Sequence, residues 1–169
     1  MRKWHVLVTV VVVALAFGAG AGWSAAQQGR SPATVLTGQD YAEIYQLYSS
    51  YAQGTDFMEA DLWLSTFTDD AVFRPGVGAD LVVGKAALRE WRATNFAARP
   101  KDRQTRHWNS GWVIKPTADG ASGRLYFLGV NVSSGQPQLG GSGHYEDKYV
   151  KTADGWKIAH EHNSPPNTP

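Results

Sequence analysis

The sequence predicts an α+β domain in which a curved antiparallel sheet wraps around three N-terminal helices, forming a cone with an internal pocket. Two observations carry this. Between Gln39 and Asn95 the apolar residues recur at spacings of three and four, the period of helices with one buried face. From Gln104 onward they fall into strand-like runs separated by turn residues. Helices that precede an antiparallel meander pack as a helix layer on one face of a sheet, with room for a pocket between them.

The first helix is read from Tyr41, Ile44, Tyr48 and Tyr51, and Gly54 is expected to end it. A second helix follows at once, with Phe57, Ala60, Leu64 and Phe67 as its stripe and Trp63 beside them. Asp69-Asp70 marks a turn, and Ala71 to Phe73 reads as a short strand before Pro75-Gly76. Gly84 opens a third helix, where Leu88, Trp91 and Asn95 share a face. After Pro100-Lys101-Asp102 come four strands: Gln104 to Lys115, Ser122 to Val132, about Gly143 to Lys151, and Trp156 to His162. The last two meet at Asp154-Gly155, a favoured hairpin dipeptide. The Gly140-Gly141-Ser-Gly143 run precedes no helix and makes a poor phosphate loop.

A chain of 169 residues has room for one real core. Residues 1 to 26 are read as a signal peptide: Arg2 and Lys3, an apolar run from Val6 to Phe17, then small residues ending in Ser24-Ala25-Ala26. A secreted or periplasmic location follows, with cleavage after Ala26. An uncleaved N-terminal membrane anchor is the alternative, although the run is short against the ~20 apolar residues of a span. Residues 27 to 37 read as a linker, 38 to 163 as the domain and 164 to 169 as a Pro-rich tail. Arg2 and Lys3 leave with the signal and no acid does, so the 16 basic and 15 acidic residues become 14 and 15. This near-neutral balance argues against nucleic acid as a partner. With no cysteine the domain holds together without disulfides, and thiol catalysis and thiolate metal sites are excluded.

Asp56 and His107 are the residues best suited to chemistry. Asp56 closes Tyr48-Ser-Ser-Tyr51-Ala-Gln-Gly54-Thr-Asp56, and His107 sits in Arg103-Gln-Thr-Arg106-His107-Trp-Asn109. A carboxylate bound to one imidazole nitrogen fixes the tautomer and leaves the other nitrogen as a base. Asp56 also has a bland reading, as the N-cap of the second helix paired with Glu59 three residues on. Tyr51 would be either core or the donor to a substrate oxygen. Asn109 shares a strand face with His107 if no bulge intervenes. His160 and His162 share a face while Glu161 points away, so a metal set is incomplete and no metal is expected. His162 is read instead as a polar residue near the pocket mouth. Tyr145, Asp147 and Tyr149 alternate onto one face and read as sheet packing with a structural hydrogen bond.

The order of elements and several local motifs resemble the SnoaL-like branch of the nuclear-transport-factor-like superfamily. The carriers are Ile44-Tyr-Gln-Leu-Tyr48, Tyr51 and Asp56, Phe67-Thr-Asp-Asp70-Ala-Val-Phe73, Gly84-Lys-Ala-Ala-Leu88, Arg106-His107, Tyr145-Glu-Asp147-Lys-Tyr149 and Asp154-Gly-Trp156-Lys-Ile158. The branch of scytalone dehydratase, hexachlorocyclohexane dehydrochlorinase and bile-acid 7-alpha dehydratase places an acid after helix one and a histidine on the first long strand. The resemblance carries these onto Asp56 and His107, and a tyrosine of the bile-acid enzyme onto Tyr51. That enzyme's further aspartate on the second long strand is replaced here by Gly129.

The resemblance implies a cofactor-independent lyase, dehydratase-like, or an isomerase acting on a small cyclic hydrophobic molecule. His107 would remove a proton, Asp56 would hold its tautomer, and Tyr51 would polarise an oxygen. Trp63, Phe67, Trp91, Trp108 and Tyr126 are expected to line the pocket, with Asn109 and His162 as polar contacts. The competing class is a binding module that holds a hydrophobic ligand in the same pocket. Apolar and aromatic residues on both faces of the strands, Leu125 and Phe127 with Tyr126 and Leu128, predict a homodimer through the outer face of the sheet.

Overall fold

A computed structural model describes residues 35–164. The signal segment, most of the linker and all of the tail except Ser164 lie outside them. Three helices, α1 (Gly38–Asp56), α2 (Ala60–Ser65) and α3 (Lys85–Ala97), are joined by six strands, β1 (Phe67–Arg74), β2 (Val82–Val83), β3 (Thr105–Pro116), β4 (Ala121–Asn131), β5 (Gln138–Thr152) and β6 (Gly155–Ser164). The strands form one sheet in the order β2-β1-β6-β5-β4-β3. It is curved, unclosed and antiparallel, except that β1 runs parallel to β6. The result is the expected α+β fold, with α1 packed across the inner face against β3 and β6.

Helix α1 starts at a capping box. Thr37, the last residue of the predicted linker, accepts from the Asp40 amide, and the Asp40 carboxylate accepts from the Thr37 amide at 2.8 Å. The same carboxylate takes Trp156 Nε1 at 2.8 Å and Lys151 Nζ at 2.6 Å, which ties the helix start to the last hairpin.

Two local expectations are corrected. Gly54 does not end α1, which continues to Asp56; it is instead the site of close approach to α2, where a Cβ would stand 2.6 Å from the Trp63 nitrogen. Asp56 does not cap the second helix either, because α2 begins only at Ala60, with Glu59 before it. The predicted stripe of that helix is divided accordingly. Phe57 is left exposed at the end of α1, and Phe67 opens β1.

The core is aromatic. Trp63 and Phe67 are fully buried, with ring centroids 4.6 Å apart, and Phe73 meets Trp63 at 5.5 Å. Tyr51 and Tyr145 extend this layer from α1 and β5. Two bulges decide which strand residues reach it. The β3–β4 register slips between Ser110 and Val113, at Gly111 with φ 67°, so Trp112 and Ile114 join the inward face of His107 and Asn109. The β5–β6 register slips at Ala159, which has no partner between Ile158 and His160. Trp156 and Ile158 are buried before the slip, and Glu161 is buried after it.

Candidate functional site

The C-terminal turn of α1 sets Asp56 against the start of edge strand β3. Its Oδ1 lies 2.6 Å from His107 Nδ1 and accepts from Thr105 Oγ1 at 3.0 Å, and its Oδ2 accepts the His107 backbone N–H at 2.8 Å. The carboxylate side chain is 5% exposed and the imidazole 23%. With Nδ1 engaged, the ring carries its proton there and offers Nε2 as the acceptor. The arrangement is braced from the turn after α3: Arg99 donates to the Thr55 carbonyl at 2.9 Å and to Thr105 Oγ1 at 2.8 Å. This joins the ends of α1 and α3 to the first residue of β3.

His107 lines a cavity of about 490 Å³ that opens between α1, α3 and the inner face of the sheet. That volume suits a small organic molecule. Its apolar walls are Phe73, Trp91, Phe127 and the rings of Tyr51 and Tyr145, and its polar groups include Asn95 and Asn163. Beneath it is a buried polar layer. Arg92, 4% exposed, stacks over Trp63 with its guanidinium carbon 3.7 Å from the ring centroid. Burial, and then the nearby Glu161 carboxyl, hold the Tyr51 phenol well above the usual phenol range, so it stays a proton donor. Glu161 is itself 2% exposed and pushed up, by burial first and then by Asp147 directly across the β5–β6 pair. Asp147 is raised to about 7 by burial, against the opposing hydrogen bonds of Tyr48 and Tyr149. Two carboxyl groups facing each other in the core keep at least one proton between them at neutral pH.

The structure brings Asp56, His107, Tyr51 and Trp91 to this cavity or its immediate wall. The other expected lining residues are placed differently. Trp63 and Phe67 lie wholly in the core beneath the cavity: α2 turns Trp63 toward Phe73 and Arg92, and Phe67, at the start of β1, packs against Phe73. Trp108 alternates with His107 along β3 and is 58% exposed. It borders, with Asn109, a separate cleft between α1 and β3 on the other side of His107. Both side-chain amide atoms of Asn109 are buried there without a partner. Tyr126, between the inward Leu125 and Phe127, is 60% exposed on the outer face. His162 also lies outside: the slip at Ala159 puts His160 and His162 on an outer groove and turns Asn163 to the cavity.

Glu161, Arg92, Tyr145, Thr105 and Arg99 were not expected at the site. Arg92 had a readable signal, four residues after Leu88 on the buried face of α3. Glu161 had one in its alternation with the two histidines. Nothing in the sequence marked Thr105 or Arg99, whose positions depend on how two helix ends meet a strand. Tyr145, Asp147 and Tyr149 do share an inner face, and Tyr48 reaches both Asp147 and Tyr149 with its hydroxyl.

Comparison with known proteins agrees with this fold. The family model described as SnoaL-like domain matches residues 37–162. No curated protein matches the chain. Among solved structures, a protein from Catenulispora acidiphila in complex with S-DNPA is similar at 25% identity and a TM-score of 0.67, covering 76% of this chain and 94% of that one. ActVI-ORFA from Streptomyces coelicolor is similar at 23% identity and a TM-score of 0.67, covering 76% and 98%. A Nostoc punctiforme protein with a cystatin-like fold is similar at 24% identity and a TM-score of 0.67, covering 79% and 97%. At these last two identities the likeness is one of fold alone.

Proposed function

The chain belongs to the SnoaL-like domain family, and on that footing we propose that its cavity is the active site of a cofactor-independent proton-transfer enzyme, a dehydratase-like lyase or an isomerase acting on a small cyclic hydrophobic molecule. The observation that carries this reading is the wiring of His107. Its Nδ1 is held at 2.6 Å by a buried carboxylate while the ring lines an open cavity instead of being sealed by packing. His107 Nε2 takes a proton from a carbon next to a carbonyl or a leaving oxygen. Asp56 keeps the proton on Nδ1 and stabilises the imidazolium that forms. The Tyr51 hydroxyl donates to the oxygen on which negative charge develops. Phe73, Trp91 and Phe127 provide apolar walls for the ring.

A positioned base contributes about a hundred- to ten-thousand-fold, so the proton removed must already be activated. The test is solvent exchange of a cyclic ketone with acidic α-protons. In deuterated buffer, β-tetralone should lose its α-protons faster with the protein than without, and His107→Gln should abolish the acceleration. A second reading, a binding module, is favoured by the backbone amide of His107, which Asp56 also accepts as a purely structural partner would. It predicts ligand-induced shifts in the protein spectrum with no catalysed exchange.

Export and pairing belong to the same proposal. The segment 1–26 directs export and is removed, so N-terminal analysis of protein from its native host should begin at Gln27; intact chains embedded in membrane would point to the anchor instead. Among the described residues no helix is long and apolar enough to cross a membrane. The exposed outer-face residues Val113 and Tyr126 form part of a homodimer surface. A monomer in sedimentation at micromolar concentration would remove that part.

A further inference from the structure

Helix α3 and the loop after it bring arginines to the cavity without bringing acids. Arg92, Arg99 and Arg103 all line it, and among the described residues no Asp or Glu side chain does. No ion pair among the described residues includes any of the three. Of the carboxyl groups nearby, Asp56 is engaged by His107 and Thr105, and Glu161 lies in the buried layer beneath, near Arg92. Arg99 spends both terminal amino groups on Thr55 and Thr105, yet its Nε is shut off from water and has no partner. Arg103 is exposed, with its guanidinium close enough to act on Arg99. Burial lowers the Arg99 guanidinium below its usual value, and Arg103 and Arg106 add to this while Asp56 opposes it. Three arginines thus line a cavity whose own walls supply no carboxylate, and Arg103, the exposed one, is in no ion pair among the described residues.

We propose that this mouth is an anion subsite, formed by the Arg99 and Arg103 side chains that line it, that seats the carboxylate of a ring-bearing organic acid. The inference rests on the cavity as the substrate site and narrows the substrate to an acid. Trp91 and Phe127 line the same cavity as His107, so a ring held against them would have its acid at the arginines and its reacting carbon toward His107. Arginine suits the task because its planar fork meets both oxygens of a carboxylate.

The experiment compares naphthoate with naphthamide, which share a shape and differ in charge, by titration calorimetry on the native protein and on Arg103→Gln. Naphthoate should bind about tenfold more tightly than naphthamide, the increment of one partly shielded, charge-assisted contact. The advantage should shrink at high salt. Arg103→Gln should remove it, weakening naphthoate far more than naphthamide. Equal affinities, or equal weakening of both ligands by Arg103→Gln, would overturn the anion subsite and leave the cavity reading in place. Binding of neither ligand would overturn both.

Discussion

Replacing Asp56 with asparagine keeps the side-chain shape and exchanges one acceptor oxygen for a donor amide. Three donors converge on that carboxylate, at 2.6, 2.8 and 3.0 Å. If the new amide nitrogen takes the place of Oδ2, it meets the backbone N–H of His107, and two donors face each other. If it takes the place of Oδ1, it donates to His107 Nδ1, and the Thr105 hydroxyl can turn to accept. The second arrangement keeps every partner and is the expected one. It also reverses the imidazole, because Nδ1 becomes the acceptor and the proton moves to Nε2. The nitrogen that should act as the base is then blocked.

Three hydrogen bonds to a charge become neutral ones, each weaker by ~1 kcal/mol, and relief from burying the carboxylate returns part of the loss. The net destabilisation should be about 2 kcal/mol, or ~8 °C in Tm for a domain of this size. Long-range proton–nitrogen correlation spectra of the ring report the tautomer, and urea denaturation reports the stability. An unchanged tautomer with stability within ~0.5 kcal/mol of the native protein would show that Asp56 does not orient His107. The proton-transfer reading would then lose its base.

Gly54→Ala should destabilise by about 1–3 kcal/mol in thermal or urea unfolding, although the same change in an open helix stabilises. The added methyl would stand 2.6 Å from the Trp63 backbone, which has no rotamer to yield. Asp40→Asn should destabilise at neutral pH, and the difference should fade in acid. Lys151 first, then Thr37 and Trp156, hold the Asp40 carboxyl below the usual range, so its contribution is complete above the ordinary carboxylate pKa and is lost as pH falls below it. A gap between the two proteins that persists unchanged in acid would refute this. Asp147 has the opposite sign. Raised to about 7 in the folded state, it favours folding while protonated, and stability should decline between about pH 4 and 7. Asp147→Asn should flatten that decline in a series of urea midpoints, and an unaltered slope would place the titration elsewhere.

The sequence by itself determined the class of fold and the order of its helices and long strands, because helical and strand periods are local properties of the chain; it missed the two-residue β2 and read Asp69-Asp70, which lie within β1, as a turn. It also marked Asp56, His107 and Tyr51, and the resemblance of their surroundings to a family gave them roles to test. What it did not determine was facing. Trp108 and Tyr126 read as pocket residues because they are aromatic, yet each alternates with an inward neighbour and lies away from the cavity. Trp63 and Phe67 have the right composition but sit one layer too deep. The bulge at Ala159 exchanges the faces of the residues after it, placing Glu161 and Asn163 inside and His162 outside. No local pattern announces a one-residue slip, since it is fixed by pairing with β5. The buried layer of Glu161, Arg92 and Tyr145 and the brace of Arg99 on Thr105 join residues from separate elements. Only the packed tertiary structure could bring those groups together, because their contacts form where helix ends and strands meet rather than along the chain.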